Sequence, residues 1–253
     1  MLRELMMAGA MVAAAPEHRA APPPDAKNVL PAFTMTGPGG ASGTVDLARD
    51  ANSARIDAAF DLVHQGKPGE AVLILDGVIA AEEQAHRDAK TLYFSARSTT
   101  EAIFYSALAM VTHKPTIVTN DVWADAYFLK GYALVDLQRS DEAGPLFKRA
   151  LELAPKNAQI QAELAEWHKS RREWPAAFDA YEEAAANAEF SPDDARSFEK
   201  GRALRGMAFV KVEQGDLDAA EKYLKEALKL NPADERARTD LVDVGQRRLL
   251  VKR

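Results

Sequence analysis

The sequence predicts an all-α fold, a stack of helical hairpins behind an N-terminal segment that cannot build a core. Three observations carry that expectation. Small and large apolar residues recur at fixed offsets along the chain, residues 46–253 are rich in the helix formers Ala, Leu, Glu, Lys and Arg, and no stretch sustains the period-two alternation of a half-buried strand. The 253-residue chain carries 32 Lys and Arg against 38 Asp and Glu, a net charge of −6, and no cysteine. The acidic balance argues against nucleic acid as a partner. The lack of cysteine excludes disulfides, thiolate nucleophiles, Cys-ligated metals and a lipid-bearing N-terminal cysteine.

Residues 1–15 read MLRELMMAGAMVAAA: a positively charged start, an apolar run from Leu5 to Ala15, and small residues at the end. That is the order of a secretory signal peptide. The run is too short to span a bilayer, which takes about 20 residues. The expectation is export, periplasmic or secreted, with no stable membrane span after cleavage; the alternative is an Ala-rich cytoplasmic start. Residues 16–45 hold six of the 13 prolines and four of the 14 glycines. The stretches APPPD (21–25) and GPGGASG (37–43) show no apolar period and predict a disordered linker. The Gly-rich run lacks the Gly-Lys-Ser/Thr ending of a phosphate loop.

Repeats begin at residue 46. Ala, an aromatic or Leu, a second Ala and Pro recur as Ala143, Phe147, Ala150 and Pro155, and again as Ala220, Leu224, Ala227 and Pro232. The same offsets find Ala177, Tyr181 and Ala184, then Ala71, Leu75 and Val78, and more weakly Ala102, Ser106 and Ala109. Small residues let two helix axes approach, and the larger residue one turn later fills the gap beside them. A single hairpin cannot bury its own apolar face, so neighbours must stack. Asp216, Ser140 with Asp141, and Lys67-Pro68-Gly69 are the expected starters of second helices. Pro145, in the first turns of one of these, predicts a local kink or a late helix start. The unequal spacing of the Ala markers predicts inserted loops near 114–122 and 189–198.

The segment Ala124–Pro155 resembles a tetratricopeptide repeat almost position by position, at Tyr127, Gly131, Leu134, Ala143, Phe147, Ala150 and Pro155; Lys130 replaces one signature Leu. The unit ending at Pro232 matches at Leu204, Met207, Ala208, Gly215, Ala220, Leu224 and Ala227. The resemblance implies a right-handed superhelix, with repeats at about 52–85, 83–115 (degenerate), 124–157, 158–190 and 201–232. A capping helix, 233–250, follows, with Ala237, Leu241 and Val244 on its apolar face.

No constellation points to catalysis. His18, His64, His86, His113 and His168 lie in separate segments, adjacent carboxylates such as Glu82-Glu83 point about 100° apart on a helix, and Ser98-Thr99-Thr100 reads as a helix cap beside Glu101. No metal or other cofactor is called for. The resemblance implies that first helices line a concave groove, and its register places Phe60, Val63, Phe94, Phe128, Tyr132 and Phe209 there. Such a cluster predicts a non-enzymatic scaffold that binds a protein or extended peptide. The positions that hold a Lys/Asn/Arg carboxylate clamp in part of the family carry Asp125, Phe128, Leu129 and Asp136 here, so that clamp is missing. Two alternatives stand beside this reading. One is a self-assembling structural protein. The other is a small-molecule or enzymatic groove built on Arg87, Glu166, Lys169 and Arg205. Trp123, Trp167 and Trp174 read as packing residues between helices.

Overall fold

The computed structural model describes residues 31–37 and 40–251, so the candidate signal at 1–15 and most of the 16–45 segment lie outside the described residues. In chain order the elements are β1 (Phe33–Thr36), β2 (Ser42–Asp46), α1 (Ala51–His64), α2 (Pro68–Ala85), β3 (Leu92–Ser95), α3 (Thr99–Thr112), β4 (Thr116–Thr119) and α4 (Val122–Asp136). Then come α5 (Ser140–Leu153), α6 (Ala158–Ser170), α7 (Trp174–Asn187), α8 (Asp193–Glu213), α9 (Leu217–Leu230) and α10 (Glu235–Val251). Four hairpins, α1–α2, α4–α5, α6–α7 and α8–α9, stack in sequence, and α10 packs on α9.

The repeated residues are the ones that hold the stack together. Ala71, Leu75, Val78, Ala143, Phe147, Ala150, Ala177, Tyr181, Ala184, Ala220, Leu224 and Ala227 are all buried. At Gly131 a Cβ would lie 2.7 Å from the Phe147 ring, and at Gly206 it would collide with the Tyr181 ring, so glycine sets the helix spacing at both sites. Each hairpin turns through one residue of positive φ: Gly66, Gln138, Arg172 and Gly215. The amide after each reaches back to a carbonyl five residues earlier, as Asp216 N donates to Lys211 O at 2.9 Å, closing the first helix with a Schellman turn. Asp216 caps α9 by accepting from Ala219 N, whereas the cap positions of α5 and α2 are Arg139 and Lys67, which make no side-chain cap, and Ser140 is the first residue of α5. Pro145 sits inside α5, which nevertheless starts at Ser140. Ala237 and Val244 of α10 are buried against the stack, as a cap requires.

Two expectations are corrected. Residues 83–115 are not a repeat, and the 16–45 segment is not wholly a linker. Strands from both regions join in a sheet of order β1-β2-β4-β3, with β1–β2 antiparallel and β2–β4 and β3–β4 parallel. The described chain is therefore the expected helical solenoid, with a small sheet added by a β-α-β insertion between its first and second hairpins. The predicted loop at 114–122 contains β4, and the one at 189–198 reduces to a single 3₁₀ turn before α8. Helix α3 lies on one face of the sheet, with Ala102 and Tyr105 against Val45 and Val118. Gly43 lets it come close, because a Cβ there would run into the Ser106 carbonyl. Ser98 caps α3 by accepting from Glu101 N at 3.0 Å, as the sequence predicts.

Candidate functional site

The first helices α1, α4, α6 and α8 build the face on which the sequence places its aromatic stripe, and the structure breaks that stripe up. Val63 and Phe128 are buried, and Phe128 packs 6.3 Å from Phe147. Phe94 is on no first helix at all; it lies on β3 and stacks on Tyr105 at 5.0 Å inside the insertion. Phe60 is half-buried, with its ring 4.1 Å from that of His64. Tyr132 and Phe209 lie beside charged side chains of the first helices. Tyr132 is half-buried, and burial together with Asp136 and Glu163 pushes its phenol up. Phe209 is 44% exposed, with the Lys169 ammonium 4.9 Å over its ring.

Around these aromatics runs a set of fixed charges. Arg202 on α8 donates to Glu163 on α6 at 2.7 Å. The Tyr181 hydroxyl donates to Glu166 at 2.5 Å, Lys169 pairs with Glu166, and Arg205 pairs with Asp234. Burial opposes the Glu166 charge, yet Lys169 and Arg202 hold its carboxyl below the usual carboxylate range. Of the four polar groove candidates, Glu166, Lys169 and Arg205 belong to this face, while Arg87 lies in the loop after α2. Further along, burial and the charge of Asp121 hold the Asp125 carboxyl well above its ordinary value.

A second constellation was invisible in the sequence. Arg97, just after β3, reaches Glu199 on α8 through two hydrogen bonds of 2.6 and 2.8 Å, and Ser191 at 3.2 Å. Its backbone N donates to Glu101 at 2.9 Å. Phe104 on α3 meets Phe190 at 5.1 Å, with the Lys156 ammonium over both rings. The insertion is thus docked onto the later hairpins by a buried cation, an aromatic contact and two hydrogen bonds, Ser98 Oγ donating to Phe190 O at 2.7 Å and Lys156 N donating to the Tyr105 hydroxyl at 2.8 Å. No sequence signal pairs residues 97 and 199, 102 positions apart.

Tetratricopeptide-repeat models match residues 124–157 and 201–244, the α4–α5 hairpin and α8 to α10. The chain contains tetratricopeptide repeats. Solved structures share the solenoid. The chain is 15% identical to PilF of Pseudomonas aeruginosa over 79% of its own length and 71% of that chain, with a TM-score of 0.54. For residues 41 to the end of MamA from Desulfovibrio magneticus RS-1 the identity is 14%, the coverage 79% and 86%, and the TM-score 0.50. At such identities the likeness is one of fold. No curated protein matches the chain. Among the described residues of this repeat protein, no helix is long and apolar enough to cross a membrane.

Proposed function

We propose that the protein is a non-enzymatic interaction module that holds a segment of another protein against the first-helix face, with Tyr132 and Phe209 as its aromatic contacts. The observation that carries this reading is Phe209: a large aromatic, 44% exposed, on a face whose neighbouring charges are already paired. An aromatic set among satisfied polar groups offers contact area without a desolvation penalty from unpaired charge. The signal-like order of residues 1–15 supports an exported location, and no cofactor enters the reading. Affinity co-purification from the native cell with Tyr132→Glu and Phe209→Glu beside wild type tests it, with Leu73→Glu on α2 as the control. Partners kept by the wild type and the control and lost by the groove variants support the proposal. Equal recovery by all four baits refutes it.

A second reading has its own observation. Val242, Leu249 and Leu250 of α10 are exposed, on the side of the stack away from α9 contacts made by Ala237 and Val244. End-to-end association through that face would make sedimentation depend on concentration, and Leu249→Glu would remove the dependence.

A further inference from the structure

Helix α3 presents no charge to solvent. Its sequence, TTEAIFYSALAMVT, holds one charged residue, Glu101, whose side chain is fully buried beside Arg97. Ile103 is 49% exposed, Met110 39% and Val111 75%. A helix that is apolar all round belongs inside a protein, whereas a solvated one carries charge on its outer face. Ile103 and Met110, seven residues apart, share one flank of α3. That flank lies beside β1: a Cβ at Gly37, just after the strand, would sit 2.6 Å from the Met110 Cγ.

The strand next to it is equally bare. β1 is one outer edge of the sheet, and β3, the other, is the edge that packs on α4 and α5. Gly37 N donates to Ala41 O at 3.0 Å, so the alternation of an antiparallel ladder commits the backbone groups of Phe33 and Met35 to β2 and turns those of Thr34 and Thr36 outward. Both threonines are exposed, and their outward N–H and C=O groups have no partner among the described residues. Natural edges are blunted by lysine, proline or an inward-pointing charge. Residues 28–45 contain no charged residue, and no proline interrupts Phe33–Thr36.

We propose that this edge pairs with the same edge of a second copy, β1 antiparallel to β1 about a two-fold axis at Met35, joining the two four-stranded sheets into one with both α3 helices on the same face. Charge selects an identical copy as the occupant. A two-fold axis brings like charges together, and a chain of net charge −6 repels itself over most of its surface. The strip formed by β1 and the α3 flank is free of that repulsion. Its hydrogen-bond pattern is also self-complementary, because Thr34 of each copy meets Thr36 of the other as a hydrogen-bonded pair. Met35, Ile103 and Met110 of the two copies then shield one another on the α3 face, and the threonines pair on the opposite face. A strand of four residues makes a small contact, so the dimer dissociates in the micromolar range, about 1–100 μM.

The test is sedimentation velocity of the full chain between about 1 and 500 μM, in a Leu249→Glu background that removes association through α10. The proposal predicts a dimer in that background. Thr36→Pro removes an outward N–H and spares the ladder to β2, and Met110→Lys sets two cations across the axis. Each weakens the dimer about tenfold or more at unchanged circular dichroism. The chain has no cysteine of its own, so Met35→Cys is a specific reporter. Residues facing each other in a non-hydrogen-bonded pair have Cα atoms about 4.5 Å apart, within disulfide reach. Mild oxidation should therefore link two copies through Cys at 35 and not through Leu73→Cys on α2. Amide exchange at Thr34 and Thr36 should slow as concentration rises. A chain that stays monomeric to about 500 μM, or a dimer indifferent to both variants, overturns the proposal. Protection of Thr34 and Thr36 that does not depend on concentration also overturns it, and assigns the edge to another segment of the same chain. Cross-linking of the Met35→Cys chain in the native cell to a different protein, with no self-linked species, overturns it in favour of a foreign strand.

Discussion

Replacing Arg97 by Met should loosen the insertion from the fourth hairpin and destabilise the whole protein. The Arg97 side chain is 10% exposed and that of Glu199 3%, and two hydrogen bonds of 2.6 and 2.8 Å join them. Methionine fills much of the same volume but leaves Glu199 buried without its cation, alongside Glu101, whose carboxyl burial already raises. Breaking one side of a buried ion pair costs about 3–5 kcal/mol. For a chain of this size that corresponds to a fall of roughly 6–20 °C in Tm. Thermal and urea unfolding followed by circular dichroism measure it. Adding Glu199→Gln to Arg97→Met should recover part of the loss, because the uncompensated charge is gone. A loss below about 1 kcal/mol for Arg97→Met would show that Arg97 is not the tie between insertion and repeats.

Two further outcomes follow from the same geometry. Gly206→Ala drives a methyl into the Tyr181 ring and should cost about 1–3 kcal/mol, read by the same unfolding curves; a neutral result would mean that α7 and α8 have slack there. Burial raises the Asp125 pKa well above 3.8, with Asp121, Glu101 and Asp57 adding to the shift and Arg97 opposing it. In the interval between the unfolded and folded values the folded state holds the extra proton, so stability falls as pH rises through that interval, and the loss is complete above the folded value. Asp125→Asn should therefore raise the neutral-pH Tm and flatten its pH dependence, and an unchanged pH profile would contradict the burial of this carboxylate.

The solenoid was legible because its packing rule repeats. Ala143, Phe147 and Ala150 return as Ala220, Leu224 and Ala227, and each set is buried for the same reason. The sheet was not legible, because its strands are four or five residues long. Period-two alternation needs more length than that to stand out, and glycines such as Gly43, here a close-packing position, read as linker composition. Ala102 shows how such a pattern misleads: it is buried as its offset suggests, but against β-strands rather than a partner helix. The candidate site suffered from the same substitution of element for repeat. Phe94 sits at a groove offset and lies on β3, while Phe128 faces inward because the Trp123–Leu129 segment is buried on nearly every side. The ion pairs that order the first-helix face join residues about 30 to 40 positions apart, Glu163 with Arg202 and Arg205 with Asp234, and no local spacing reveals them.

The most direct test of a working first-helix face is site-specific photocrosslinking in the native cell. A photoreactive phenylalanine is placed in turn at Tyr132 and Phe209 on that face, and at Leu73 and Val242, which are exposed on α2 and α10. The account predicts that one protein crosslinks at both Tyr132 and Phe209 and at neither of the other two positions. Crosslinks confined to Val242 or Leu73, with Tyr132 and Phe209 silent, would contradict it.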